Sequence, residues 1–393
     1  MANSILFITT SSLAANPRLV KEIEVLKNSY SCTVICYKHD DWSLELSQRI
    51  MSNNKDVRFI EIDRNSEWMS TIMSKLKHKL SVLLNPILKS NIKISAFASN
   101  DKSVQIMKFM SFEEKYEHII AHNLGAFYPA VKLAKKLKVT LQLDIEDYYP
   151  GEALYFNKSY EKENRNRLMQ YSLKNATSIT YASKGIAMQC KKQYVIPDSS
   201  AQITIINAFK SDDFPKPSPK KNERLKAVWF SQNIGPNRGL ESVFEAAKVH
   251  FDFEFHLIGN SNKKYIESII PSPNVIFHEI LPQWELHQLL SEMDIGLALE
   301  SKDADFNRDI CLTNKFLAYA QAGLYILATD TFGQRDFLKD LHYNAGEIIT
   351  NLSDALNVLP VLEIANEQKI KRWEKAKTFG WEKEQLKLKQ LLY

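Results

Sequence analysis

Short apolar runs bounded by polar or turn residues recur along the whole chain, and helically spaced stretches separate them. SILFITT (4–10), CTVICY (32–37), VRFIEID (57–63), EHIIAH (117–122), VTLQLD (139–144) and SITYAS (177–182) read as strands covered on both faces, because few charges interrupt them. Between the first two runs, Asn16 can cap a helix with Pro17 at its first position, and Leu19, Ile23 and Leu26 fall on one side of it. Such strand–helix–strand alternation predicts a parallel sheet with crossover helices. ITIINAF (203–209) closes this series.

SDDFPKPSPKKNER (211–224) breaks the pattern with three prolines and no apolar period, and it reads as a linker. A second series follows: LKAVWFS (225–231), a helix from about Arg238, FEFHLIG (253–259), NVIFH (274–278), a helix from Pro282, DIGLALE (294–300), a helix opened by Thr313, Asn314 and Lys315, and LYILATD (324–330). Two helices, roughly 362–376 and 380–392, end the chain. The expected fold is therefore α/β: two doubly wound domains, 1–210 and 225–379, facing each other across a cleft. Ligands of such sheets bind at the carboxyl ends of the strands.

Composition narrows the function classes. With 45% hydrophobic and 25% charged residues among 393, each half can bury its own core. A net charge of +5 without dense Lys/Arg clusters argues against nucleic acid and suits an anionic partner: phosphates, a nucleotide or an acidic membrane face. The four cysteines (Cys32, Cys36, Cys190 and Cys311) form no CxxC pair, so neither zinc nor redox chemistry is indicated, and a reducing compartment is expected. MANSILFITT enters a strand at once, without the basic and long apolar regions of a signal peptide. No apolar run approaches the ~18–20 residues of a membrane span. The expected location is cytoplasmic.

Two stretches of the second half offer anion sites. In FSQNIGPNRGLES (230–242), a strand runs through a Gly235-Pro236 loop into a helix, with Arg238 at the junction. After DIGLALE, the polar loop SKDADFNRD leads to a helix that Thr313 or Asn314 can cap, with Lys315 beside them. Free N–H groups at a helix start attract phosphate, and Arg238 and Lys315 add charge. Two such sites after strand ends of one domain suggest one ligand with two phosphates.

SQNIGPNRGLES, LIGN (257–260), NVIFHEILPQWELHQLLSEMDIGLAL and TNKFLAYAQAGLYILATD resemble, in order and spacing, the family-4 glycosyltransferases of bacterial glycan assembly. In the first half, ANPRLVKEIEVL, AHNLGAFYPAVKLAKKL (121–137), DIEDYYPGE (144–152) and ASKGIA (182–187) extend the likeness, and FGWEKEQLKLKQLL matches a closing helix, about 380–393, that rejoins the first domain. The resemblance implies the GT-B architecture of two facing Rossmann-like domains. It implies donor contacts at Asn233, Gly235, Asn237, Arg238, Gly259, Leu281, Glu300, Thr313, Asn314 and Lys315, with the diphosphate between the Arg238 and Lys315 loops. On the acceptor side it implies Arg18, His122, Asp144, Glu146, Asp147 and Glu152, with His122 near the transferred sugar. His122, Arg238 and Lys315 are the implied catalytic groups.

One departure stands out. The family usually carries two glutamates with seven residues between them, the second of which binds the nucleotide ribose. Here those positions hold Ile310 and Ala318. Glu300, Asp303, Asp305 or Asp309 could substitute. Asp303-Ala304-Asp305 spells DxD, but it follows a late strand of the second domain, the wrong context for a metal site. No metal or other cofactor is expected. Arg18 could face a phosphate or lie exposed. The stretch 71–95 carries Lys75, Lys77, Lys79, Lys89, Lys93 and His78 among Leu, Ile and Val with no acid. It could be a surface helix packed by its apolar stripe, or a contact with an anionic membrane face. The expected activity is transfer of a sugar from a nucleotide-diphosphate donor to a glycan or lipid-linked acceptor, retaining by resemblance. A sugar-nucleotide epimerase and a non-catalytic scaffold on the same fold are the alternatives.

Overall fold

A computed structural model describes residues 4–110, 115–154, 158–218, 224–236, 238–301 and 304–392. The chain groups into two compact units, Met1–Ile205 with Lys387–Tyr393, and Ile206–Leu386. The last helix, Trp381–Leu392, spans that division.

The first unit holds seven parallel strands: β1 Ser4–Thr9, β2 Ser31–Lys38, β3 Arg58–Asp63, β4 His118–His122, β5 Thr140–Ile145, β6 Ser178–Tyr181 and β7 Ala201–Thr204. Their order is β3-β2-β1-β4-β5-β6-β7, so the direction of winding reverses between β1 and β4. Ile5, Phe7, Ile35, Ile119 and Leu143 are buried completely or nearly so, as unbroken apolar runs require when helices cover both faces. The Pro17–Leu26 helix starts as expected: Asn16 accepts a hydrogen bond from the Leu19 N–H, and Pro17 fills the first turn.

The second unit holds six parallel strands: β8 Leu225–Ile234, β9 Phe253–Ser261, β10 Val275–His278, β11 Ile295–Ala298, β12 Tyr325–Thr329 and β13 Gly346–Ile349, in the order β10-β9-β8-β11-β12-β13. Winding reverses between β8 and β11. One face of this sheet is covered by Leu240, Val243 and Phe244, and the other by Phe316, Ala318 and Tyr319. The strand β13 escaped the sequence reading, because GEII offers only two apolar residues.

Two stretches differ from expectation. The run 71–95 is not one helix but two, Trp68–Leu84 and Ile92–Ser99. Asn85 is still helical and donates to the Ser81 carbonyl, but Pro86 has no N–H with which to continue the ladder, and Asn91 caps the second helix by accepting from the Lys93 and Ile94 N–H groups. The proline-rich run also does not start as a free linker. Ser211–Asp213 forms a short 3-10 turn, and Phe214 is buried, its ring stacked on His287 at 4.1 Å. The Trp373 indole N–H donates to the Phe214 carbonyl at 3.1 Å. Residues 219–223 of that run lie outside the described residues.

Candidate functional site

Each unit gathers polar residues where its strand order reverses, the place where open α/β sheets bind ligands. In the first unit the register aligns Thr9 with His122, His122 with Asp144, and Asp144 with Thr180. Four neighbouring strands thus place a polar row near their carboxyl ends. The Pro17–Leu26 helix lays Arg18 and Glu22 against it. Arg18 Nε and Nη2 donate to both Asp144 oxygens at 2.8 and 2.6 Å, and Nη1 donates to the Ile205 carbonyl at 2.7 Å. Thr180 donates to Asp144 Oδ1 at 2.6 Å. His122 Nε2 bonds Glu22 at 3.1 Å, while Nδ1 bonds Glu146 at 2.9 Å and lies 3.2 Å from Asp144.

Arg18, Glu22, His122 and Asp144 are each 5% exposed or less, so these charges answer one another rather than water. Burial alone would lower the His122 pKa, but the charge of Glu22 and hydrogen bonds to Asp144, Glu146 and Glu22 outweigh it and hold the imidazole well above its usual range. Burial would likewise raise the Asp144 carboxyl. The Arg18 guanidinium outweighs it and holds that carboxyl well below the usual carboxylate range. At Glu22 burial prevails over His122, and the pKa is raised.

This arrangement corrects three expectations. Arg18 neither faces a phosphate nor lies exposed, because its planar fork is filled by Asp144. Asp144 is closed to an acceptor for the same reason. His122 has both ring nitrogens engaged and no exposed surface, whereas the side chain of its partner Glu146 is 19% exposed. Glu22, His122 and Asp144 bring possible metal-ligand atoms within 4.8 Å of one another, but Arg18 already occupies Asp144 and would repel an added cation. Asp147 and Glu152 are half-buried, and Glu152 pairs with Arg165.

Beside this row, the Leu124–Leu137 helix opens toward a cavity of about 220 Å³ lined by Thr10, Asn100, Asn123, Tyr149, Glu152 and Arg165. Asn123 precedes the helix at φ 69 and ψ 144, a positive-φ conformation outside the left-handed helical region, and Thr9 donates to its side-chain oxygen at 2.6 Å. Sequence reading missed Glu22, Asn123, Tyr149 and Arg165. A signal for Glu22 was present: Arg18 and Glu22 stand four residues apart, flanking Leu19 and Ile23, so one helix face carries both the charges and the apolar stripe.

In the second unit the loops after β8 and β11 meet. A Cβ on Gly239 would lie 2.9 Å from Leu299 Cβ, and Gly239 takes φ +75, so a side chain is disfavoured there twice over. Two eight-residue helices start at this junction, Leu240–Ala247 and Asn314–Gln321. Thr313 caps the second by accepting from the Phe316 N–H. Lys315 sits 2.8 Å from Glu300 and 5.1 Å over the Trp229 ring, which brings the helix start beside the end of β8. Arg238, Gly235, Leu281 and Thr313 are half-buried here, Asn233 and Asn314 are exposed, and Gly259 is buried in β9. Asn207 Nδ2 donates to Asn314 Oδ1 at 2.9 Å. Asn237 lies outside the described residues.

The structure also sorts the acids named for the missing glutamates. Asp305 caps the Phe306–Ile310 helix and Asp309 accepts from the Phe332 N–H, so both have local structural roles. Asp303 lies outside the described residues. Glu300 remains at the junction, beside Lys315. Ile310 and Ala318 are buried, and Ala318 belongs to the core under the sheet.

No protein-family model and no curated protein sequence matches the chain. Solved structures do. Anabaena HepE in complex with UDP-glucose superposes with a TM-score of 0.67 at 11% identity over 99% of each chain. Sucrose-phosphate synthase from Thermosynechococcus elongatus gives 0.68 at 11% identity over 99% of this chain and 98% of that one. The lipopolysaccharide outer core galactosyltransferase WaaB gives 0.61 at 14% identity over 99% of each. The chain has their fold along its whole length: the GT-B fold, two Rossmann-like domains built on parallel sheets.

Proposed function

We propose that this protein is a glycosyltransferase that takes a sugar from a nucleoside-diphosphate sugar held by the second unit and passes it to a glycan or lipid-linked acceptor held by the first. One observation carries the reading. At the β8/β11 junction, two helix starts, Arg238 and Lys315 converge in a fold shared with a protein solved with UDP-glucose. Backbone N–H groups and two cations suit a diphosphate, and they stabilise the charge that grows on it as the sugar departs. In this assignment Asn233, Asn237, Gly259 and Leu281 flank the nucleotide, Glu300 meets the ribose, and Arg238 and Lys315 supply the positive charge that a metal ion gives elsewhere. In the first unit Glu146, Asp147 and Glu152 meet the acceptor, with His122 positioning Glu146. Retention of anomeric configuration follows from the family resemblance.

Thermal melting with a panel of nucleoside diphosphates and their sugars tests this. A cognate nucleotide at 100 times its dissociation constant stabilises the protein by about 2.7 kcal/mol, and the gain is lost in Arg238→Ala. If no nucleotide in the panel shifts the wild-type melt, the reading is wrong. Nucleotide binding without turnover on any acceptor would instead favour a scaffold.

Gly235 gives a sharper version. A Cβ there meets nothing within 4 Å, so packing does not demand glycine. Gly235→Val should leave the free protein's stability within about 0.5 kcal/mol of wild type. It should also abolish the nucleotide-induced shift, because the branched side chain fills the space assigned to phosphate. An unchanged shift would move the phosphate away from this loop.

A further inference from the structure

The Trp68–Leu84 helix is built inside out. Its covered side carries Thr71, Ser74 and Ser81, each 8% exposed or less, with His78 between them. Two of these groups are bonded beneath the helix: Thr71 donates to the Arg64 carbonyl at 2.9 Å and accepts from Gln105 at 3.2 Å, and His78 Nδ1 donates to the Phe97 carbonyl at 2.7 Å. The opposite side carries Met69, Ile72, Met73, Leu76, Leu80 and Leu83, which recur at the helical period and are each 50–73% exposed. Trp68 prolongs the stripe at one end and Ile87 at the other, 59% and 79% exposed. An apolar stripe of this length facing outward marks a surface that something covers.

We propose that this face docks on an anionic lipid bilayer. Charge selects that occupant. Lys75 and Lys79 flank the stripe on one side and Lys77 on the other, all exposed, and the helix contains no acidic residue. A second copy of the chain, related by a two-fold axis along the stripe, would set these lysines against themselves. An acidic headgroup layer answers them while acyl chains receive the stripe, and tryptophan at the end of an apolar surface suits the headgroup boundary. His78 and Val82 of the helix, with Pro86 just beyond it, line a cavity of about 490 Å³ that shares Ser99 with the 220 Å³ cavity beside Asn123. Membrane docking does not depend on the transfer reading and is tested separately from it.

The test is sedimentation of the full chain with vesicles of phosphatidylglycerol and phosphatidylcholine, and of phosphatidylcholine alone. Wild type should bind the anionic vesicles at least about tenfold more strongly, and less as salt rises. Leu76→Ser with Leu80→Ser should lose at least about tenfold. Lys75→Glu, Lys77→Glu and Lys79→Glu together should lose as much and remove the salt dependence. All these positions are exposed, so melting curves should match wild type, and transfer to a soluble acceptor should be unchanged. Wild type that stays in the supernatant overturns the proposal, as do variants that bind like wild type. So does a wild-type dimer seen by light scattering that Leu76→Ser with Leu80→Ser dissociates, while neither protein binds vesicles.

Discussion

Asp144→Asn is expected to destabilise the first unit by about 3–5 kcal/mol, the usual cost of leaving one partner of a buried ion pair alone. For a domain of this size that is a fall in melting temperature of roughly 6–20 °C. Both Asp144 oxygens accept from Arg18, and Oδ1 also accepts from Thr180. Asparagine removes the negative charge and turns one acceptor into an N–H that faces the guanidinium. Arg18 and His122 then share a buried site with too little negative charge. Arg18→Met with Asp144→Leu should cost far less than the single change, because it removes both charges and keeps the volume filled. Calorimetry of the three proteins decides: a single variant within 1 kcal/mol of wild type would show that the pair is not structurally coupled.

The same row sets a pH window. Asp144 has a depressed folded pKa, so its contribution is complete above its unfolded value of about 3.9 and is lost as pH falls toward the folded one. His122 has a raised folded pKa, so its contribution is complete below about 6.5 and is lost as pH rises through the folded value. Glu22, raised by burial, works with His122: its contribution is also complete at low pH and declines as pH rises. Melting profiles against pH should therefore fall on both sides, and His122→Gln should flatten the alkaline side.

The second large effect is catalytic. Arg238→Ala and Lys315→Met should each lower kcat/KM for sugar transfer by about 10²–10³-fold, the cost of removing one group aimed at developing negative charge. The two should differ in origin. Lys315 neutralises Glu300 at 2.8 Å, so Lys315→Met leaves an unpaired carboxylate where a diphosphate arrives. Lys315→Met with Glu300→Gln should then recover part of the donor affinity, whereas Glu300→Gln should recover nothing in Arg238→Ala. Steady-state transfer kinetics with the nucleotide sugar found by thermal shift measure all four proteins. Rates within twofold of wild type in both single variants would remove the diphosphate from this junction.

Much of the architecture was legible in the order of residues. Strands buried on both faces need unbroken apolar runs, and of the thirteen strands among the described residues twelve lie in or against such runs, whereas β13, with two apolar residues, does not. The two helix starts beside these loops were also legible, since loop, cap and cation are neighbours in sequence: Gly235 to Arg238, and Thr313 to Lys315. The acceptor-side network was not. Arg18, Glu22, His122, Asp144 and Thr180 come from four separate elements, and only the parallel register and one helix bring them within hydrogen-bond range. A charge in isolation reads as solvated, because the charge that answers it lies up to 126 residues away.

The sequence by itself therefore determined the element types, the two-sheet α/β plan and the two helix starts after β8 and β11, because each depends on local periodicity and capping. Tertiary structure alone decided which charges are buried together and which side of the Trp68–Leu84 helix is covered. A 3.6-residue period says that a helix has two unlike faces, but not which of them turns inward. Here Gln105 and the carbonyls of Arg64 and Phe97 bond Thr71 and His78 beneath it, and the apolar stripe is left facing out.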